Sequence, residues 1–70
     1  MATDKQRIGK RIADIRENQN LSQTALADKC GFTRTTVSKI EAGKFNASID
    51  LISKLITPIG YRLEIVKAAE

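Results

Sequence analysis

The chain has 70 residues, enough for one small domain that buries only about 60% of the surface its unfolded chain exposes. One cysteine and no histidine exclude an intrachain disulfide and a His/Cys metal site, so oligomerisation is the remaining way to reinforce a marginal core. Twelve Lys and Arg against eight Asp and Glu give a net charge of +4, which suits a nucleic-acid partner without requiring one.

From Thr3 to about Asn18, Ile8, Ile12 and Ile15 recur at i, i+4 and i+7, the spacing of one helical face. Thr3 is the expected N-cap, and Asp4 sits where the helix dipole favours an anion; Lys5, Arg7, Lys10 and Arg11 make the other faces basic. Asn20 ends this segment. Ser22 caps a short second helix over residues 23–30 with apolar positions at Leu26, Ala27 and Cys30, and Gly31 supplies the left-handed residue that helix ends commonly require. A third helix over residues 34–42 is capped by Thr33, buries Val37 and Ile40, and stops at Gly43. Ser48 caps a fourth, bearing Ile49, Ile52, Leu55 and Ile56, which Pro58 and Gly60 terminate near residues 57–59. Beyond it Tyr61, Leu63 and Ile65 alternate with Arg62, Glu64 and Val66, the period of a β-strand. With 41% hydrophobic residues in register the chain is not disordered, and no apolar run predicts a secretory signal or a membrane span, so a soluble cytoplasmic protein is expected.

Residues 23–42, QTALADKCGFTRTTVSKIEA, meet the demands of two helices crossing over a tight turn. Ala27 is the small residue needed at closest approach, and Gly31, four positions on, turns the chain. Leu26, Cys30, Phe32, Val37 and Ile40 face the packing side. Arg34, Thr35, Ser38 and Lys39 occupy the free side of the third helix, every one able to donate a hydrogen bond. An enzyme has no support here: the chain lacks a histidine base, Cys30 lies on a packing face, and no glycine-rich phosphate loop or metal-ligand cluster appears, so neither cofactor nor metal is expected.

Across residues 21–44, LSQ-x-x-LA followed by TVSKIEAGK resembles the Xre/Cro family of phage and bacterial repressors. The resemblance implies a mainly α, four-helix, lambda-repressor-like helix-turn-helix domain over residues 1–60, and double-stranded DNA as partner. On that likeness Thr33, Arg34, Thr35, Ser38 and Lys39 face bases, with Arg34 suited to the O6 and N7 of guanine. Ser22, Gln23, Thr36, Lys44 and Asn46 fall where phosphate contacts set register. Thr33 and Ser22 read equally well as caps alone, and Lys39 and Lys44 as solvated surface charges. The family also pairs an arginine ending the first helix with a glutamate ending the third, which implies a structural bridge between Arg16 and Glu41.

A lone strand leaves its ladder unpaired, so residues 61–70 are expected to form an antiparallel ribbon with a second copy, through Tyr61, Arg62, Leu63, Glu64 and Ile65. Centring the ribbon on Leu63 sets Arg62 against the mate's Glu64, whereas centring on Glu64 opposes like charges. A strand packed on its own chain, or a frayed tail, is the alternative. A compact Xre-type domain with such an ending resembles the HipB-type antitoxins, which implies a homodimer and raises a HipA-like toxin as a further partner. The expected function is a transcriptional regulator, a repressor on a palindromic operator, the alternative being an antitoxin that regulates its own operon.

Overall fold

A computed structural model describes residues 3–68; residues 1–2 and 69–70, the outer ends of the two expected regions, lie outside the described part. Four α-helices follow in order, α1 Asp4–Asn18, α2 Gln23–Cys30, α3 Arg34–Glu41 and α4 Ile49–Ile56, and a 3₁₀ turn at Thr57–Ile59 prolongs the last. Each helix starts where a hydroxyl is available to cap it. Thr3, Ser22, Thr33 and Ser48 all adopt extended backbone, and each side-chain oxygen accepts from the backbone N–H three residues on. At α1 the exchange is reciprocal, because the Thr3 N–H donates to Gln6 Oε1 at 2.9 Å, closing a capping box.

The turns are set by left-handed residues. Asn20, at φ 59°, reverses the chain after α1, and the N–H of Leu21 closes on the carbonyl of Arg16 at 3.0 Å. Gly31 sits at φ 73° with nothing within 4 Å of the position a Cβ would take, so glycine is required there by backbone angle and not by crowding.

Ile12, Ile15, Leu26, Ala27, Cys30, Val37, Ile40, Ile52, Leu55, Ile56 and Ile59 form one core, and Leu21, Phe32, Phe45, Ala47 and Leu51 pack around it half-buried. α3 lies against both α2 and α1, and α4 packs on α2. The 3₁₀ turn adds Ile59 to the core, and Gln19 at the end of α1 donates to the Ile59 carbonyl at 2.9 Å, tying the two chain reversals together. Two residues expected on buried stripes lie outside this core: Ile8 is 40% and Ile49 78% exposed.

The single chain does not form the expected C-terminal strand. Among the described residues none lies in a β-strand, and residues 61–68 are irregular and exposed. Alternating side chains favour an extended chain but create no ladder; a strand needs a partner's backbone, and a body made of helices offers no edge. The segment instead runs beside α1 and α4. Tyr61 lies under the Arg11 guanidinium, 6.0 Å from ring centroid to Cζ, and Arg62 pairs with Glu64 of the same chain at 2.8 Å. Both members of that pair are exposed, so it contributes little to stability. Grooves open on either side of the tail. One, of about 570 Å³, has a floor of Ile8, Ile12, Ile15, Ile52 and Ile56; the other lies between Ile8, Ile49, Leu63 and Ile65. Among the described residues, no helix is long and apolar enough to cross a membrane.

Candidate nucleic-acid interface

α3 has two faces. Val37 and Ile40 point into the core at 0% and 3% exposure, and Arg34, Thr35 and Lys39 on the other side are exposed, with Ser38 half-buried between them. The spacing accounts for this division. Thr35, Ser38 and Lys39 stand three and four residues apart and share a surface, with Arg34 beside Ser38 at the helix start. Among the described residues Arg34, Lys39 and Lys44 make no ion pair, so their charges are available to a ligand.

Thr33 holds the start of this helix. Its Oγ1 accepts from the Thr36 N–H at 3.2 Å and lies 3.0 Å from the Thr36 hydroxyl, so the two threonines form one cap. Three residues separate α2 from α3, and within that turn the Phe32 N–H closes on the Ala27 carbonyl at 2.9 Å. Lys54 of α4 lies 5.7 Å from the centroid of the Phe32 ring, covering the turn from outside.

The far end of α3 is anchored by charge. Arg16 donates through Nε to Glu41 Oε2 at 2.7 Å and through Nη2 to Oε1 at 3.1 Å, a two-point fork. Its Nη1 donates to the Leu21 carbonyl at 2.7 Å. The side chains are only 12% and 7% exposed, and the hydrogen bond to Glu41 raises the already high Arg16 pKa further, against the opposing effect of burial. Arg16 thus joins the ends of α1 and α3, the pair the family resemblance implies, and its bond to Leu21 ties in the segment leading into α2.

Gln23 has a place the sequence did not indicate. Its Nε2 donates to Glu41 Oε1 at 3.0 Å, so one of its two amide N–H groups completes the network around Arg16. Ser22 is exposed and caps α2 by accepting from the Ala25 N–H at 3.0 Å. Lys44 is exposed just past α3, where its N–H bonds the Lys39 carbonyl. Asn46 lies on the α3–α4 loop and accepts from Lys5 Nζ at 2.8 Å, which fixes its oxygen and leaves its amide N–H groups as the donors it offers elsewhere. Ser22, Lys44 and Asn46 are thus solvent-facing, and Thr36 is half-buried in the Thr33 cap.

Cys30 is buried, and its Sγ donates to the Leu55 carbonyl at 3.1 Å. Burial pushes the thiol pKa up, more strongly than the nearby charges of Lys54 and Lys29 pull it down. It is a packing group between α2 and α4.

Two helices joined by a glycine turn, the second clamped at both ends and polar along its outer face, define a helix-turn-helix DNA-binding domain. The chain belongs to the Xre/Cro-like HTH_3 helix-turn-helix family, whose model matches residues 12–66. It is 38% identical over 55 residues to the HTH-type transcriptional regulator PuuR of Escherichia coli K12, an alignment covering 79% of this chain and 30% of PuuR. The ImmF control region 10 kDa protein of Bacillus phage phi105 is 33% identical over 67 residues, covering 96% of this chain and 74% of that protein. Among solved structures, the restriction-modification controller protein C.AhdI from Aeromonas hydrophila superposes with a TM-score of 0.76 at 36% identity, over 80% of this chain and 81% of the other.

Proposed function

We propose that the chain is a sequence-specific regulator of transcription that binds double-stranded DNA through α3, as a homodimer on a palindromic operator. The observation that carries this reading is the division of α3 into a core-locked face and an unpaired polar face of Arg34, Thr35, Ser38 and Lys39. A major groove about 12 Å wide admits a helix, and the N-terminal residues of a recognition helix lie deepest in it. Arg34 is placed to bond O6 and N7 of guanine, and Thr33 and Thr35 to contact neighbouring bases, the threonine methyls suiting thymine. Ser22, Gln23, Thr36, Lys44 and Asn46 serve phosphates, and Gln23 also holds Glu41 through one amide N–H.

The dimer reading rests on the exposed apolar surface of the tail. Leu63, Ile65 and Val66 are 40%, 103% and 77% exposed beside Ile8 and Ile49, and a second copy of the tail in antiparallel pairing supplies both the missing ladder and the cover. Two recognition helices then fall in successive major grooves about 34 Å apart. The cis pair between Arg62 and Glu64 exchanges for the corresponding trans pairs in a Leu63-centred ribbon at little cost, since both residues are exposed. The HipB-type antitoxin alternative uses the same tail and differs in what else binds the protein; co-purification of a HipA-like toxin distinguishes it.

Two substitutions test the assignment on a selected operator. Arg34→Ala abolishes preference at one base position per half-site, worth about 1–3 kcal/mol, while Lys44→Ala weakens all sequences alike and lowers the salt slope by about 1. Equal loss of affinity for every sequence in Arg34→Ala contradicts its base-reading role.

A further inference from the structure

Gly9 is buried in the middle of α1, a position where glycine is unfavourable on helix propensity. A Cβ there would stand 2.3 Å from the carbonyl oxygen of Ile40 and 2.7 Å from that of Glu41. Both are backbone atoms at the end of α3, so no rotamer change relieves the overlap. The helices must separate by roughly 1 Å to bring 2.3 Å near the 3.4 Å where ordinary contact begins. Gln6, one turn earlier on α1, stands where a Cβ on Gly43, just past α3, would come within 2.7 Å of its Cγ and 2.9 Å of its Cα. Another side of α1 meets the tail: Ile8 lines both grooves there, and Arg11 lies over Tyr61. α1 therefore lies between the recognition helix and the tail, and at Gly9 it meets the α3 backbone with no side chain between them.

We propose that Gly9 is a positioning residue, which sets the distance from the recognition helix to the tail and through it the half-site spacing the dimer accepts. The inference rests on the dimeric DNA-binding reading above. α3 is a single short helix, so a displacement at Ile40 carries Arg34, Thr35, Ser38 and Lys39 with it. Shifts of roughly 1 Å in each protomer together exceed half of the 3.4 Å or so that one base pair occupies along the duplex. Hydrogen bonds to base edges tolerate only a few tenths of an ångström.

The test uses an operator selected with the wild-type protein, its half-sites moved apart or together one base pair at a time. Wild type favours one spacing by about tenfold or more. Gly9→Ala loses or shifts that optimum while keeping wild-type affinity and salt slope on non-specific duplex. Leu55→Val is the destabilised control: its site is fully buried in α4, outside both the α1–α3 contact and the tail grooves, and it keeps the wild-type optimum. Should Gly9→Ala be unfolded in buffer, all three proteins are measured in trimethylamine N-oxide, which favours the folded state. A Gly9→Ala protein with the wild-type optimum overturns the inference, and so does one that stays unfolded in the osmolyte, because the glycine then serves the fold alone. A wild-type protein with no preferred spacing overturns the dimeric reading as well, so the wild-type arm separates the two failures.

Discussion

Replacing Glu41 with alanine should cost this domain a large part of its stability. Glu41 accepts from Arg16 Nε and Nη2 and from Gln23 Nε2, and its side chain is 7% exposed. Its removal leaves the Arg16 guanidinium, 12% exposed, with the Leu21 carbonyl as its remaining partner, and takes the acceptor from Gln23. Breaking a buried pair costs about 3–5 kcal/mol, and the residual exposure here favours the lower end, about 3 kcal/mol. A domain of this length is stable by roughly 3.5–10 kcal/mol in total. At about 4–8 °C per kcal/mol the melting temperature falls by roughly 12–24 °C. Urea denaturation followed by circular dichroism measures this as a lower midpoint at unchanged slope. The double variant Arg16→Met with Glu41→Leu should recover most of the loss, because it removes both charges together and fills the space with apolar side chains. A cost below about 1 kcal/mol in Glu41→Ala places the pair with surface salt bridges and refutes the reasoning, as does a double variant no more stable than the single one.

Cys30 gives a pH dependence whose sign follows from burial. Its native thiol pKa is raised, so on alkalinisation the unfolded chain loses this proton first; the thiol's contribution is complete below the unfolded pKa and is lost as pH rises toward the folded one. The urea midpoint should therefore fall more steeply between about pH 8 and 10 in wild type than in Cys30→Ala, and parallel profiles contradict the assignment. On the dimeric reading proposed above, Leu63→Asp should give a monomer in sedimentation velocity where the wild type is a dimer, and weaken operator binding, because Leu63 lines both grooves. An unchanged sedimentation coefficient excludes the tail as the interface.

Much of the fold was legible because its determinants are local. Thr3, Ser22, Thr33 and Ser48 act within three residues of themselves, and Gly31 acts through its own φ, so caps and turns located all four helices. The polar face of α3 followed from periodicity alone. What depended on distant residues was hidden. Gly9 in a helix interior looks like a weak helix former until the carbonyl of Ile40 is found beside it. Gln23 sits at a helix start, where the dipole suggests phosphate binding, and its added bond to Glu41, 18 positions away, leaves no local signal. Asn46 is oriented by Lys5, 41 positions away in sequence. Ile8 and Ile49 match their apolar stripes, yet the described chain provides nothing to cover them fully. The tail shows the limit most plainly, since alternation in residues 61–66 specifies which side chains share a side but not the backbone that would pair with them.

If the exposed face of α3 reads base sequence, selection of duplexes from a random pool by the purified chain at moderate salt shows it without any prior choice of site. A two-fold symmetric site with half-sites one helical turn apart should be enriched and bound at least about a thousandfold more tightly than random duplex. Recovery of no common sequence, with equal affinity for all duplexes, would contradict base reading by α3.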